Sequence, residues 1–267
     1  MPKFFPRTVK ASDLNHNDLS GIGASDHHVK YTDAEAVAAA KADADIADAV
    51  ILGKTPWDDT GLVLYLPFDE NNGVVAYDKS FYKNNGAFKG AGEPAWSEGH
   101  KNVGVNFDGV NDYVEVPDSD SLDISTVFTI EAWHKRNTNG TGLCLEKGDW
   151  SVGWDLVGSS LGAVNLRSLG FGTKVDHDVA EVFDAGQWVH LVITYDSAAG
   201  ANNLRFYKNG VLKQSFTETG GLITNAVSFK IGRAVTGTYF TNGKIDEVRI
   251  YNRALTAAEI KAHYLRS

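Results

Sequence analysis

The sequence predicts an all-β protein: a two-sheet antiparallel sandwich or jelly roll, preceded by an extended and helical leader and closed by a short helix. Three observations predict it. From residue 60 onward, short runs of β-branched and aromatic residues alternate with Gly, Asn and Asp turns. Large side chains are confined to that part: of 6 Trp, 10 Tyr and 13 Phe, only Phe4, Phe5 and Tyr31 precede residue 57. The pair Asn209-Gly210, between LRFYK and VLKQSF, marks a two-residue hairpin, a turn that needs positive φ at both central positions.

Residues 1–56 form the leader and residues 57–267 the sandwich, with Gly53-Lys54-Thr55-Pro56 as the boundary where a helix would stop. The leader has too little apolar surface to offset its conformational entropy alone, so it is either disordered or ordered by partner chains. Within it, Thr32 and Glu35 make a capping box, and 9 of the 19 residues from Thr32 to Val50 are Ala. Val37, Ala40, Ala44, Ala47 and Ile51 give a narrow seam of small residues. That seam fits either a solvated linker helix or a short oligomerising bundle, such as a trimer. The stretch LNHNDLSGIGASDHHVKYTDAEA resembles connector segments in bacteriophage tail fibres and other appendage proteins. His16, His27 and His28 in the leader are candidate metal ligands around a symmetry axis, or simply polar loop residues.

The expected strands are LVLYLPF (62–68), GVNFDG (104–109), DYVEVP (112–117), FTIEAWHK (128–135), WVHLVITYD (188–196), LRFYKNG (204–210), FKIGRA (229–234) and KIDEVRIYNR (244–253). A second capping box, Thr256 with Glu259, opens a helix through Ile260, His263 and Tyr264. The segments LVLYLPFDE, DKSFYKNNG, VNFDGVNDYVEVPDSDSLDIS, GQWVHLVITYD and GKIDEVRIYNRALTAAEI, in that order, resemble the laminin-G-like branch of the concanavalin A-like lectins and glucanases. The resemblance covers about residues 61–266 and implies a concanavalin A-like jelly roll with one concave and one convex sheet. That fold hosts lectins, adhesion modules, spacers and glycosidases, so it leaves function open.

Composition narrows the choice. A formal charge of −9, from 25 basic and 34 acidic residues, argues against nucleic acid as a partner, because phosphate binding needs a positive footprint. The lone Cys144 excludes an intrachain disulfide and a Cys-rich zinc site. MPKFFPRTVKAS has no apolar stretch for a signal peptide and no later run spans a membrane. The expected location is therefore a virion surface or an extracellular appendage reached by lysis or a dedicated exporter. The paired acids of a glycosidase are not evident. Asp246 and Glu247 are adjacent and should point to opposite faces, Glu146 and Asp149 flank a glycine, and Glu131 stands alone beside Trp133. The chain is read as non-enzymatic.

Three candidate sites emerge. Trp150 and Trp154, of matching parity in KGDWSVGWDLVG, could present flat faces to a sugar with Asp149 and Asp155 accepting from hydroxyls, or could cap the core. Glu131, Trp133, His190 and Arg205 are polar or amphipathic residues in apolar strands, fitting either a ligand site or a plain wet face. The resemblance implies a structural calcium on Asp246, with oxygens from Asp69, Glu70 and the Asn84-Asn85-Gly86 turn. Asp78, Asp108, Asn111 and Asp112 serve equally well as Asx turns. The expected function is a multimeric virion or appendage protein whose outward jelly roll binds a host surface glycan or protein. Alternatives are a structural decoration or fibre-building subunit packed only on other virion subunits, and a glycoside hydrolase of the same fold.

Overall fold

The computed structural model describes residues 59–137, 140–172, 176–234 and 237–266. The leader, its capping box and histidines, Trp57 and the 56/57 boundary lie outside the described residues. The first strands are Leu62–Leu66 (β1), Val75–Ala76 (β2), Gly86–Lys89 (β3), Ala95–Glu98 (β4), Val103–Asp108 (β5) and Tyr113–Val116 (β6). Next come Val127–Arg136 (β7), Cys144–Lys147 (β8), Trp154–Gly158 (β9), Val164–Arg167 (β10), Asp176–Val179 (β11) and Trp188–Asp196 (β12). Leu204–Lys208 (β13), Val211–Phe216 (β14), Phe229–Ile231 (β15), Arg233–Ala234 (β16), Tyr239–Phe240 (β17) and Asn242–Tyr251 (β18) complete them, followed by the helix Ala257–Arg266 (α1). Each run expected as a strand contains one.

Two antiparallel eight-stranded sheets form the sandwich. Sheet I runs β14-β13-β12-β7-β18-β5-β4, with β1 also on β18; sheet II runs β11-β10-β9-β8-β15-β6-β3-β2. Strand alternation sends Phe128, Ile130, Leu191 and Ile193 from sheet I against Val114, Leu145, Leu156 and Phe229 from sheet II, all within one buried core. Each such aliphatic or aromatic side chain contributes roughly 1.5–3 kcal/mol by leaving water.

The local signals read from sequence take their expected forms. Asn209 and Gly210 adopt φ of 53° and 76°, closing the β13–β14 hairpin. The Glu259 backbone N–H donates to Thr256 Oγ1 at 3.2 Å, and the Thr256 N–H donates back to Glu259 Oε2 at 2.7 Å. Helix α1 then lies over the outer face of sheet I, where Ile260 packs with Val192, Tyr207, Tyr251 and Leu255. Asp78 accepts from the N–H groups of Tyr65, Ser80 and Asn84, and Asp108 from those of Val110 and Asn111, as Asx-type turns do.

One local expectation fails. β18 is bulged between Asp246 and Arg249, with Glu247 at φ 53°, so simple alternation does not hold there. Asp246 and Glu247 both lie on the outer side of sheet I rather than on opposite faces. Asp246 pairs in register with Trp133, while Glu247 accepts from the Tyr65 hydroxyl at 3.1 Å and pairs with Arg249.

Candidate ligand-binding cleft

The tryptophan platform does not assemble. Trp154 starts β9 on its core side, 1% exposed and 5.7 Å from the Phe229 ring, whereas Trp150 sits in the preceding turn, 36% exposed. Asp149 is occupied by that turn, accepting from the N–H groups of Ser151 and Val152. Asp155 is buried, and Arg167 Nε and Nη2 hold its two oxygens at 2.7 and 3.0 Å.

The second group is not a wet face. Glu131 and His190 are fully buried beneath α1. Glu131 Oε1 accepts from His190 Nε2 at 2.9 Å and lies 3.4 Å from Arg249 Nη1, while Oε2 accepts from His263 Nδ1 at 2.8 Å. Trp133 stacks there with His100, 3.4 Å between centroids, and with Tyr264, at 5.7 Å. Arg205 stands opposite Thr194 on β13, away from this cluster's centre, and hydrogen-bonds the Tyr207 hydroxyl. Sequence reasoning placed the helix through Ile260, His263 and Tyr264 but missed that it closes this face.

The outer face of sheet II carries a different arrangement. Register pairing places Asp176, Arg167, Asp155, Glu146, Lys230 and Glu115 in one row across β11, β10, β9, β8, β15 and β6. Most neighbours are of opposite sign, which favours the pairing. The exception, Asp155 beside Glu146, is balanced by Arg167 on one acid and by Arg233, 2.9 Å from Glu146, on the other. Arg233 belongs to the small β16–β17 hairpin, which folds over this face; its guanidinium also stacks 5.3 Å from the Tyr113 ring. Burial pushes the Asp155 carboxyl up against the pull of Arg167, and pushes the Lys230 amine down.

Beside this row, between the sheet and the hairpin, lies an open cleft of about 310 Å³. Asn165, Arg167 and Asp178 form its floor, Ser159 and Ser160 one rim, and Tyr239 of the hairpin another wall. Asn165 Oδ1 accepts from the His177 N–H at 3.0 Å, which orients its amide, whose NH₂ is a donor. Ser159 Oγ accepts from the N–H groups of Leu161 and Ala163, fixing the rim loop. Gly158, at the start of that loop, permits the close approach of the Gly142–Leu143 backbone, since a Cβ there would lie 2.6 Å from the Leu143 nitrogen. The β8–β9–β10–β11 meander with polar residues between core aliphatics, as in Val-Asn-Leu-Arg (164–167), was the available sequence signal.

A family model described as the concanavalin A-like lectin/glucanases superfamily, in its laminin-G form, matches residues 108–261 and so covers β6 to β18, with strands of both sheets and the cleft. The chain belongs to that superfamily. No curated protein matches it. Among solved structures, this laminin-G-like chain is similar to domain 4 of AbnA, a GH43 extracellular arabinanase from Geobacillus stearothermophilus, in complex with arabinotriose. The TM-score is 0.57 at 24% identity, over 75% of this chain and 96% of that one. It is also similar to the binding domain of Paraclostridial Mosquitocidal Protein 1, with TM-score 0.57, 19% identity and coverage of 76% and 52%. A third is botulinum neurotoxin type C, described as entering cells through two ganglioside molecules, with TM-score 0.57, 15% identity and coverage of 77% and 51%. The chain spans about half the length of the two toxin chains. At these identities the likeness is one of fold. No helix among the described residues is long and apolar enough to cross a membrane.

The calcium that this laminin-G-like fold implied at Asp246 does not fit the donors present. Asp246 Oδ2 accepts from the N–H groups of His100 and Lys101 at 2.9 and 3.0 Å, and Oδ1 from that of Glu247 at 2.8 Å. Hydrogen-bond donors converge where a cation would need oxygens, six to eight of them. Asp69 lies near the same loop but also receives donors, from Val103 N–H and Asn102 Nδ2 at 3.4 and 3.5 Å. Glu70 accepts from the Tyr77 N–H and pairs with Lys79, Asn85 accepts from the Asp78 N–H, and Gly86 packs on Val114 in the core. Among the described residues, no three His, Cys, Asp or Glu side chains gather to hold an ion. Asp246 acts as an anchor for the His100–Lys101 loop, and burial pushes its carboxyl up to about 8.

Proposed function

We propose that this laminin-G-like domain is a non-catalytic binding module that takes a glycan in the cleft on sheet II. The cleft itself carries the reading. Fixed donors on Asn165 and Arg167, hydroxyls on Ser159 and Ser160, an acceptor on Asp178 and the flat ring of Tyr239 together match what a polyhydroxylated ring offers. The neighbours solved with arabinotriose or linked to gangliosides support a sugar as the class of ligand. The acids nearest the cleft are poorly placed for hydrolysis. A retaining pair needs two carboxyls about 5–5.5 Å apart and open to substrate, whereas Asp178 is the one acid among the described lining residues, and beside the cleft Asp155 is gripped by Arg167 and Glu146 is paired with Arg233.

A glycan array followed by calorimetry on the best hit tests the reading. Tyr239→Ala and Asn165→Ala are each expected to weaken binding about tenfold, the equivalent of one hydrogen bond or stacked ring. Arg205→Ala, on the opposite sheet, should leave it unchanged. Binding that survives both cleft variants would remove the cleft as the site.

Residues 1–56 fit a leader that gathers several copies, as on a virion or other surface appendage, and the same domain packed only on its neighbours would serve as a structural subunit. The leader's want of large side chains supports partner chains. Tethered copies would turn a weak single cleft into an effective one. Light scattering on the full chain is expected to report a multimer. A monomer at every concentration would remove the assembly while leaving the cleft reading standing.

A further inference from the structure

The charges around the cleft say which sugars it takes. Arg167 is its only cationic side chain among the described lining residues, and two of its nitrogens are already directed at the buried Asp155. On its other side Arg167 faces Asp176 in register. Asp178 is exposed on the cleft floor and makes no ion pair among the described residues. The remaining polar lining, including Asn165, Ser159, Ser160 and Tyr239, is uncharged. An anionic ligand would therefore shed hydration without meeting an uncommitted cation among the described lining residues, and would face the Asp178 carboxylate as it entered. The chain's net charge of −9 adds a long-range repulsion of the same sign.

From this we infer that the cleft selects uncharged, hydroxyl-rich sugars over carboxylated or sulfated ones, with Asp178 as the residue that sets the discrimination. The inference rests on the cleft being the glycan site. Uncharged hydroxyls lose nothing by meeting Asp178, since each can donate to it. A charge-assisted bond of that kind is roughly twice as strong as a neutral one. The same carboxylate that repels an acidic sugar thus holds a neutral one.

Matched probes give the test: arabinan oligosaccharides against oligogalacturonates, and lactose against sialyllactose, presented to the full chain at low and high ionic strength. Within at least one pair the neutral member should bind, with its acidic partner about tenfold weaker or more at low salt. High salt should narrow that gap, because the repulsion is screened at the exposed floor. Asp178→Asn should narrow it several-fold, and Asp178→Lys should reverse it. Acidic members bound as tightly as neutral ones by wild type, or a gap unmoved by both variants, would overturn the inference while leaving the cleft as a glycan site. Failure of the folded wild-type chain to bind any member of either class, or any glycan on the array, would overturn the cleft reading and this inference together.

Discussion

Glu131→Ala is expected to lower the unfolding free energy by about 3–5 kcal/mol, the usual cost of removing one partner from a buried ionic cluster. For a domain of this size that is a fall of roughly 6–20 °C in melting midpoint. The carboxylate is the common acceptor for His190 on β12, His263 on α1 and Arg249 on β18, so three elements meet on it. Without it Arg249 loses one of the two carboxylates that face its guanidinium, the other being Glu247, while the Tyr65 ring stays 4.1 Å away. His263 loses the bond that fastens the last turn of α1 to the sheet. Burial alone would raise the Glu131 carboxyl, but the hydrogen bonds from His190 and His263, with the charges of His263 and Arg249, hold it well below 4.5. A depressed acid contributes fully above the unfolded value and fades as pH falls through the folded one. The gap between wild type and variant should therefore be widest near neutrality and shrink in strong acid. Chemical denaturation across pH measures this, and a variant as stable as wild type at pH 7 would show that the cluster is not what seats the helix.

That cluster also explains which parts of the molecule were legible in the sequence. Strands, the Asn209-Gly210 turn and the Thr256–Glu259 box are local, each determined by residues within a few positions, and they fold as expected. Sites depend on register and on what covers a face. Trp150 and Trp154 share parity, but parity acts only inside a strand, and β9 begins at Trp154. Glu131 and His190 do point away from the core, yet a helix more than sixty residues beyond either strand closes over them. The row from Asp176 to Glu115 draws on strands scattered between residues 113 and 231, and only the pairing order brings it together. Its members were visible singly, as polar residues between core aliphatics, with nothing local to align them. Glu247 breaks strand alternation through a positive φ that no glycine or asparagine announced.

His134→Leu is expected to stabilise the protein at pH 7 by about 1–3 kcal/mol, the cost of a buried polar group left without a partner. His134 is on the core side of β7, fully buried and edge-on to Phe183 at 4.9 Å, and neither ring nitrogen has a hydrogen-bond partner among the described residues. Leucine fills a similar volume with no polar atom to desolvate. The effect of acid is larger. Burial, helped by the nearby Arg136 charge, lowers the imidazole to about 3 from 6.5. The unfolded chain then takes up a proton at pH values where the folded one does not. Stability is lost as pH falls below about 6.5 and levels off near 3. At pH 4 the linkage amounts to roughly 3 kcal/mol, added to the gain already present at neutrality. Asp246 works in the opposite sense over an overlapping range, because its raised carboxyl binds a proton more readily folded than unfolded, and so costs stability as pH rises from about 4 to 8. The two slopes partly cancel in wild type, so the wild-type curve alone cannot report either. The difference between wild type and His134→Leu at each pH removes the Asp246 contribution, which both proteins share. It should grow steadily from pH 6.5 down to 3. A difference that stays flat over that interval would mean that His134 takes up its proton inside the folded core, and the pocket between Phe183 and Arg136 would then have to be far more polar than its lining.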